Sequence, residues 1–141
     1  MSSLLPTATG TLEATPLLNL AIYVLDHQLT GTLVLEESDG QKHAVYFLNG
    51  AATKVRTAAP IAFLGQVIVE HGSITEEIRG QTFAEAQASQ TLHGAALLAA
   101  GAVDEFTLRE ALREQITRKL LYLPGLPGET VYGYYDHIDF L

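Results

Sequence analysis

The chain contains no cysteine, which removes disulfides, thiolate nucleophiles and cysteine-held metals in one step and fits a reducing compartment. Positive charge is also scarce: 8 Lys and Arg stand against 16 Asp and Glu, a formal net charge of −8. Such a chain repels phosphate backbones, and its few cations are scattered or set beside acids along a helix. Nucleic acid is therefore not the expected partner. The sequence shows neither a positively charged apolar leader nor an apolar run of the length a membrane span needs, so the expected location is cytoplasmic, without membrane insertion. Recognisable catalytic devices are missing as well. No serine sits in a nucleophile elbow, no glycine-rich loop ends in Lys-Ser/Thr, and no carboxylate pair stands apart from ordinary helix-surface acids. The expectation is a protein that is not an enzyme, with no catalytic, cofactor-binding or metal-binding residue and no cofactor.

What is present is a block that occurs twice. Leu64-Gly65-Gln66-Val67-Ile68-Val69-Glu70-His71-Gly72-Ser73-Ile74-Thr75-Glu76 returns as His93-Gly94-Ala95-Ala96-Leu97-Leu98-Ala99-Ala100-Gly101-Ala102-Val103-Asp104-Glu105. Gly65/Gly94, Ile68/Leu97, Gly72/Gly101, Ile74/Val103 and Thr75/Asp104 are in register. Each copy reads as a short apolar helix stopped by a left-handed glycine, a buried Ile or Val, and a Thr or Asp that caps the next helix. No repeated position carries a reactive group, which points to recognition rather than chemistry.

At 141 residues, 48% hydrophobic and 17% charged, the chain has enough apolar surface for one globular core. Met1 to Ala8, small and polar, is expected to be mobile. Gly10 to Ala14 reads as a lone edge strand. Thr15-Pro16 reads as a capping hydroxyl before a first-turn proline, opening a helix whose broad apolar surface from Leu17 to Leu25 predicts near-complete burial. Gly31 to Glu36, Lys42 to Leu48 and Ala51 to Arg56 read as an antiparallel meander, turned at Ser38-Asp39-Gly40 and at Asn49-Gly50. Helices are predicted at about 61 to 71, 75 to 88, 91 to 100 and 104 to 122. In the last, Leu108, Leu112, Ile116 and Leu120 form an apolar stripe, and Glu105/Arg109 and Glu114/Arg118 form acid-before-base pairs. Leu112→Ala is expected to open a cavity costing roughly 2–5 kcal/mol. Thr130 to Tyr135 returns as an aromatic strand.

The predicted fold class is α+β: a small antiparallel β-sheet with a packed N-terminal helix and a helical subdomain of two tandem helix-turn-helix repeats. In residues, this is a flexible N-terminus over 1–9 and a single domain over 10–141, made of helix plus meander (10–58), helical repeats (60–122) and C-terminal strand (129–141).

Gly31-Thr32-Leu33-Val34-Leu35, Ala44 to Gly50, Leu64-Gly65 with Gly72 and Ile74, and Val131-Tyr132-Gly133-Tyr134-Tyr135, in that order, resemble the PATAN domain, a bacterial signalling module. The resemblance covers about residues 10 to 141. It implies a protein partner tied to type IV pili, motility or cell polarity. The helical half is also similar to the N-terminal domain of type II secretion and type IV pilus ATPases, some of which bind cyclic-di-GMP. Gly94, Leu97, Val103, Leu108, Leu112 and Gln115 fall on that spacing, whereas the first copy has Arg79 and Ala86 where the second has Leu108 and Gln115. The arginine that the motif carries before its Leu-Gly step is replaced by Phe63 and Leu92, so an anionic dinucleotide loses a charged partner at both places. The leading expectation is thus a non-enzymatic protein–protein interaction module. A cyclic-di-GMP receptor is the alternative.

Among individual residues, His27 and His71 sit at helix ends, where a donor suits the last carbonyls. Asp136-His137-Ile138-Asp139 gathers ligand-type residues, but an extended strand would put only His137 and Asp139 on one face. Tyr132, Tyr134, Ile138 and Phe140 are the candidate partner surface: an exposed strand edge with aromatic anchors, or else filling against the first helix. Phe140-Leu141 reads either as a cut from a longer chain or as residues packed on the domain. A protein-binding role further predicts an apolar surface patch on the order of a few hundred Å².

Overall fold

The computed structural model describes residues 5–59 and 61–141. The chain divides into two compact units, one made of the described residues before Ile61 together with Lys119–Leu141, the other of Ile61–Arg118. The second division falls inside the last helix, four residues before the expected boundary at 122.

The first unit is built on a five-stranded antiparallel sheet. Its strands are β1 (Ala8–Thr11), β2 (Gly31–Glu36), β3 (Lys42–Leu48), β4 (Ala51–Arg56) and β5 (Val131–Asp136), in the order β1-β5-β2-β3-β4. The meander is where the residue pattern puts it, and Asn49 and Gly50 both take positive φ, as a primed hairpin turn demands. Register explains the core. Leu33 lies opposite Val45 and Tyr134, and Val45 opposite Val55, so one pleat row runs across four strands and all four side chains are buried. His43, fully buried on the same face, ties down the chain leaving β4: its Nδ1 accepts the Ala58 amide at 3.0 Å and its Nε2 meets Glu37 at 2.8 Å.

Three N-terminal expectations need correction. Met1 to Leu4 lie outside the described residues, but Thr7 donates its amide to the Tyr134 carbonyl and Ala8 already belongs to β1. The edge strand thus starts and ends earlier than Gly10 to Ala14. Helix α1 (Leu17–Asp26) begins after Pro16, which is itself the cap residue, and no side chain caps it; Thr15 does not serve. Nor is α1 mostly buried: only Val24 is, with Leu17, Leu20 and Ala21 half-buried along the same face.

The second unit contains α2 (Leu64–Glu70), α3 (Glu76–Ser89), α4 (His93–Ala99) and α5 (Glu105–Tyr122), the last running on into the first unit. The repeat is reproduced bond for bond. After α2, Gly72 (φ 75°) donates to the Val69 carbonyl and Ser73 to Ile68; after α4, Gly101 (φ 68°) donates to Leu98 and Ala102 to Leu97. Both are Schellman stops. The Thr75 hydroxyl accepts the Ile78 amide, and Asp104 Oδ1 accepts that of Thr107 at 2.7 Å. Val67, Ile68, Ile74, Leu97, Val103 and Ala111 close the core. On α5 the buried residue is Ala111, whereas Leu112 is 40% exposed, so the expected large cavity from Leu112→Ala does not follow. Glu114 pairs with Arg118 as expected and Arg118 also reaches Glu70 at 2.6 Å, but Glu105/Arg109 forms no ion pair.

A candidate groove between the two repeats

The C-terminal aromatic cluster does not present the exposed strand edge that was expected. β5 lies between β1 and β2, so it has no free edge. Tyr132 and Tyr134 point to the packed face and are buried because they share it with Leu33 and Leu35. The Tyr134 hydroxyl, desolvated and then bonded to Asp136 at 3.2 Å, has its pKa pushed up to about 12. Ile138 is half-buried and Phe140 is exposed. The strand stops at Asp136, and His137 takes positive φ, so the extended geometry assumed for the Asp-His-Ile-Asp run is absent. The tail crosses the other face instead. Thr32 donates to the Ile138 carbonyl at 2.6 Å and accepts the Phe140 amide at 3.2 Å, Asp139 pairs with Lys54 at 2.7 Å, and Phe140 meets Tyr135 edge-on. Among the described residues no group of three His, Asp or Glu is placed to hold a metal.

A groove of about 640 Å³ lies in the second unit. Equivalent positions of the two copies line it in pairs: Phe63 with Leu92 at the entries to α2 and α4, Gly65 with Gly94 on the floor, Phe83 with Leu112 on the walls. The floor is tight, and much tighter at Gly65 than at Gly94. A methyl group added at Gly65 would lie 2.8 Å from both Arg79 Cγ and His93 Cε1; at Gly94 it would lie 3.3 Å from Leu108 and 3.4 Å from Leu64.

Three polar side chains enter this apolar bowl: Arg79, His93 and Gln115. Arg79 Nε donates to Glu76 Oε2 at 2.7 Å, an exposed pair one turn apart, and the guanidinium makes no other bond among the described residues. His93 is fixed by the helix beneath it. Its Nε2 is hydrogen-bonded to the Thr82 hydroxyl at 2.8 Å, and that hydroxyl also lies within bonding distance of the Ile78 carbonyl at 2.8 Å and the Arg79 carbonyl at 3.2 Å. Burial, and then the charge of Arg79, lower the pKa of His93, which keeps it neutral at pH 7.

Neither Arg79 nor His93 was a candidate site residue from sequence. The signal existed: Arg79 breaks the repeat where Leu108 keeps it, and His93 stands at the place of Leu64. Phe63 and Leu92, which stand where the resembled motif carries arginine, are exposed and line the groove. Elsewhere, His27 binds the Tyr23 carbonyl through Nδ1 and stacks on the Tyr23 ring, and His71 occupies the C-cap of α2. No helix among the described residues is long and apolar enough to cross a membrane. Comparison of the chain with protein-family models, with curated proteins and with solved structures finds no match.

Proposed function

We propose that this protein is a non-enzymatic protein–protein interaction module of a bacterial signalling, motility or cell-polarity pathway, acting in the cytoplasm. The observation that carries the interaction reading is the outer side of α1. Leu18, Ile22 and Leu25, spaced by four and three residues, form one outward stripe and are 66%, 48% and 59% exposed, with Tyr23 beside them. The inner stripe, Leu17, Leu20, Ala21 and Val24, is apolar too. A helix apolar all round is ordinarily buried on all sides. Here one side faces water, and several large side chains in one row form the kind of contiguous patch that marks a protein-binding surface. The row has the spacing with which a helix enters a partner's groove. The pathway rests on the PATAN-like order of motifs.

A photo-crosslinking amino acid placed at Leu18 tests this. In native cells it should yield one discrete covalent adduct with another protein, lost when Ile22→Asp and Leu25→Asp are added, while the same crosslinker at Gly40 yields none. Absence of an adduct, or an equal one at Gly40, defeats the reading. An adduct of twice the chain's mass would identify a second copy as the partner.

The alternative, a cyclic-di-GMP receptor, is favoured by one observation: the groove is walled by both repeats. Phe63 and Leu92 oppose it, leaving Arg79 as the groove's one cation among the described residues. Calorimetric titration with cyclic-di-GMP is expected to show no saturable binding at micromolar ligand.

A further inference from the structure

An offset of 29 residues maps the first copy onto the second, and the groove obeys that symmetry in shape but not in chemistry. The side chains lying over Gly65 are Arg79 and His93; those over Gly94 are Leu108 and Leu64. Arg79 and Leu108 are equivalent, and so are His93 and Leu64. Each floor glycine is thus covered by one side chain from the helix that follows it and one from the first turn of the other copy. Both ionisable side chains of the lining, Arg79 and His93, lie at one end, while the second copy contributes the uncharged amide of Gln115. Over Gly65 lie the methylenes of Arg79, which carry a guanidinium at the groove, and the imidazole of His93; over Gly94 lie two leucines.

A ligand with two like ends would meet unlike surroundings. A ligand with one anionic end and one hydrocarbon end would be matched at both. We propose that the groove binds a single-chain amphiphile with a monoanionic head, of the long-chain carboxylate class, its head over Gly65 against Arg79 and its chain running over Gly94 between Leu64, Leu108 and Leu112. The volume, about 640 Å³, lies in the ordinary range for small-ligand sites. The exposed pair with Glu76 uses one donor of Arg79 and is of a kind that contributes little, leaving both terminal NH2 groups for a bidentate carboxylate. His93, being neutral, adds no second charge, so one negative charge on the head is enough. Phe63 and Leu92 cover hydrocarbon better than they would cover phosphate. This inference is independent of the role given to α1, which lies in the other unit.

The test is calorimetric titration of the whole chain with laurate below its micelle concentration, beside dodecyl maltoside monomers, which have the same chain and no charge. Laurate should bind one per chain and more tightly than the maltoside. Arg79→Gln should weaken laurate by about tenfold and leave the maltoside unchanged, since only a charge-assisted pair is lost. Leu112→Glu should weaken both. Amide chemical-shift changes on adding laurate should centre on Gly65, Arg79, Gly94 and Leu108, and the same spectra show that each variant is folded. Equal affinity for the charged and neutral amphiphiles, unchanged laurate affinity in folded Arg79→Gln, shifts centred outside the groove, or no saturable laurate binding would each overturn the proposal.

Discussion

The two copies of the repeat share one set of residues and diverge in another, and the two sets lie in different places. Positions that set the backbone are kept in kind: Gly72 with Gly101 at positive φ, Thr75 with Asp104 as caps, Ile68 with Leu97 and Ile74 with Val103 in the core. Two pairs that cover the groove's glycine floor are not, with Arg79 against Leu108 and His93 against Leu64. The shared set satisfies the same bonds in each copy and buries the same kind of surface, so it follows from folding alone. The divergent set makes no such demand. Arg79 and His93 put polar groups where an aliphatic pair already packs in the other copy, so folding does not require them.

The comparison can be broken most strongly at the core. Ile68 and Leu97 are both fully buried in the same cluster, so Ile68→Ala and Leu97→Ala should each lower unfolding free energy in urea by about 2–5 kcal/mol, and by similar amounts. A large difference between them would mean that the copies do not contribute alike. The helix stops come next. Gly72→Val and Gly101→Val force a β-branched residue into left-handed backbone and should each cost at least about 1–2 kcal/mol, although open space surrounds both glycines. An unchanged melting temperature would show that the backbone there relaxes at no cost.

Much of the scaffold was legible because its signals are local. A primed turn at Asn49-Gly50, glycines one residue past a helix, and a cap ahead of each second helix depend on neighbours a few residues away. Three features escaped for reasons of range. The apolar side chains of α1 are distributed on two faces, and periodicity says only that such a helix is greasy, not which side is left uncovered. The tyrosines of β5 were placed on a free edge because nothing near them in sequence reveals that β1, more than a hundred residues earlier, covers it. The groove depends on pairs 14 and 28 residues apart, Gly65 with Arg79 and with His93, which become neighbours only when the two copies pack. In α5 a regular spacing of four drew attention to Leu112, while small, unremarked Ala111 points to the core.

The floor of the groove sharpens the comparison further. Gly65→Ala would set a methyl 2.8 Å from the middle of the Arg79 chain and from the His93 ring, so one of them must move, at about 1–3 kcal/mol. Gly94→Ala meets only leucine methyls at 3.3 Å and beyond, and both substitutions gain some helix propensity. Thermal unfolding should therefore rank Gly65→Ala clearly below Gly94→Ala. Equal melting temperatures would mean that Arg79 swings away freely, which would also weaken its claim to hold an anion in place.

The smallest expected difference lies in the caps, because one of them titrates and the other does not. Asp104 has its pKa lowered, first by the backbone bond it accepts from Thr107, whereas Thr75 does the same work with a hydroxyl. A carboxyl whose folded pKa lies below its unfolded value of 3.8 contributes stability that is present above that value and is lost as the pH falls through the lowered folded one. Acid should therefore weaken the second copy's cap and leave the first copy's untouched. Asp104→Asn keeps a capping carbonyl without the titration, so the variant should lose less stability than the parent between about pH 4 and the acid end of the curve. The difference should be small because Asp104 is exposed. Urea midpoints measured over that range check it: parallel curves for parent and variant would mean that the carboxylate's charge contributes nothing, and that the two caps, one acid and one alcohol, are interchangeable.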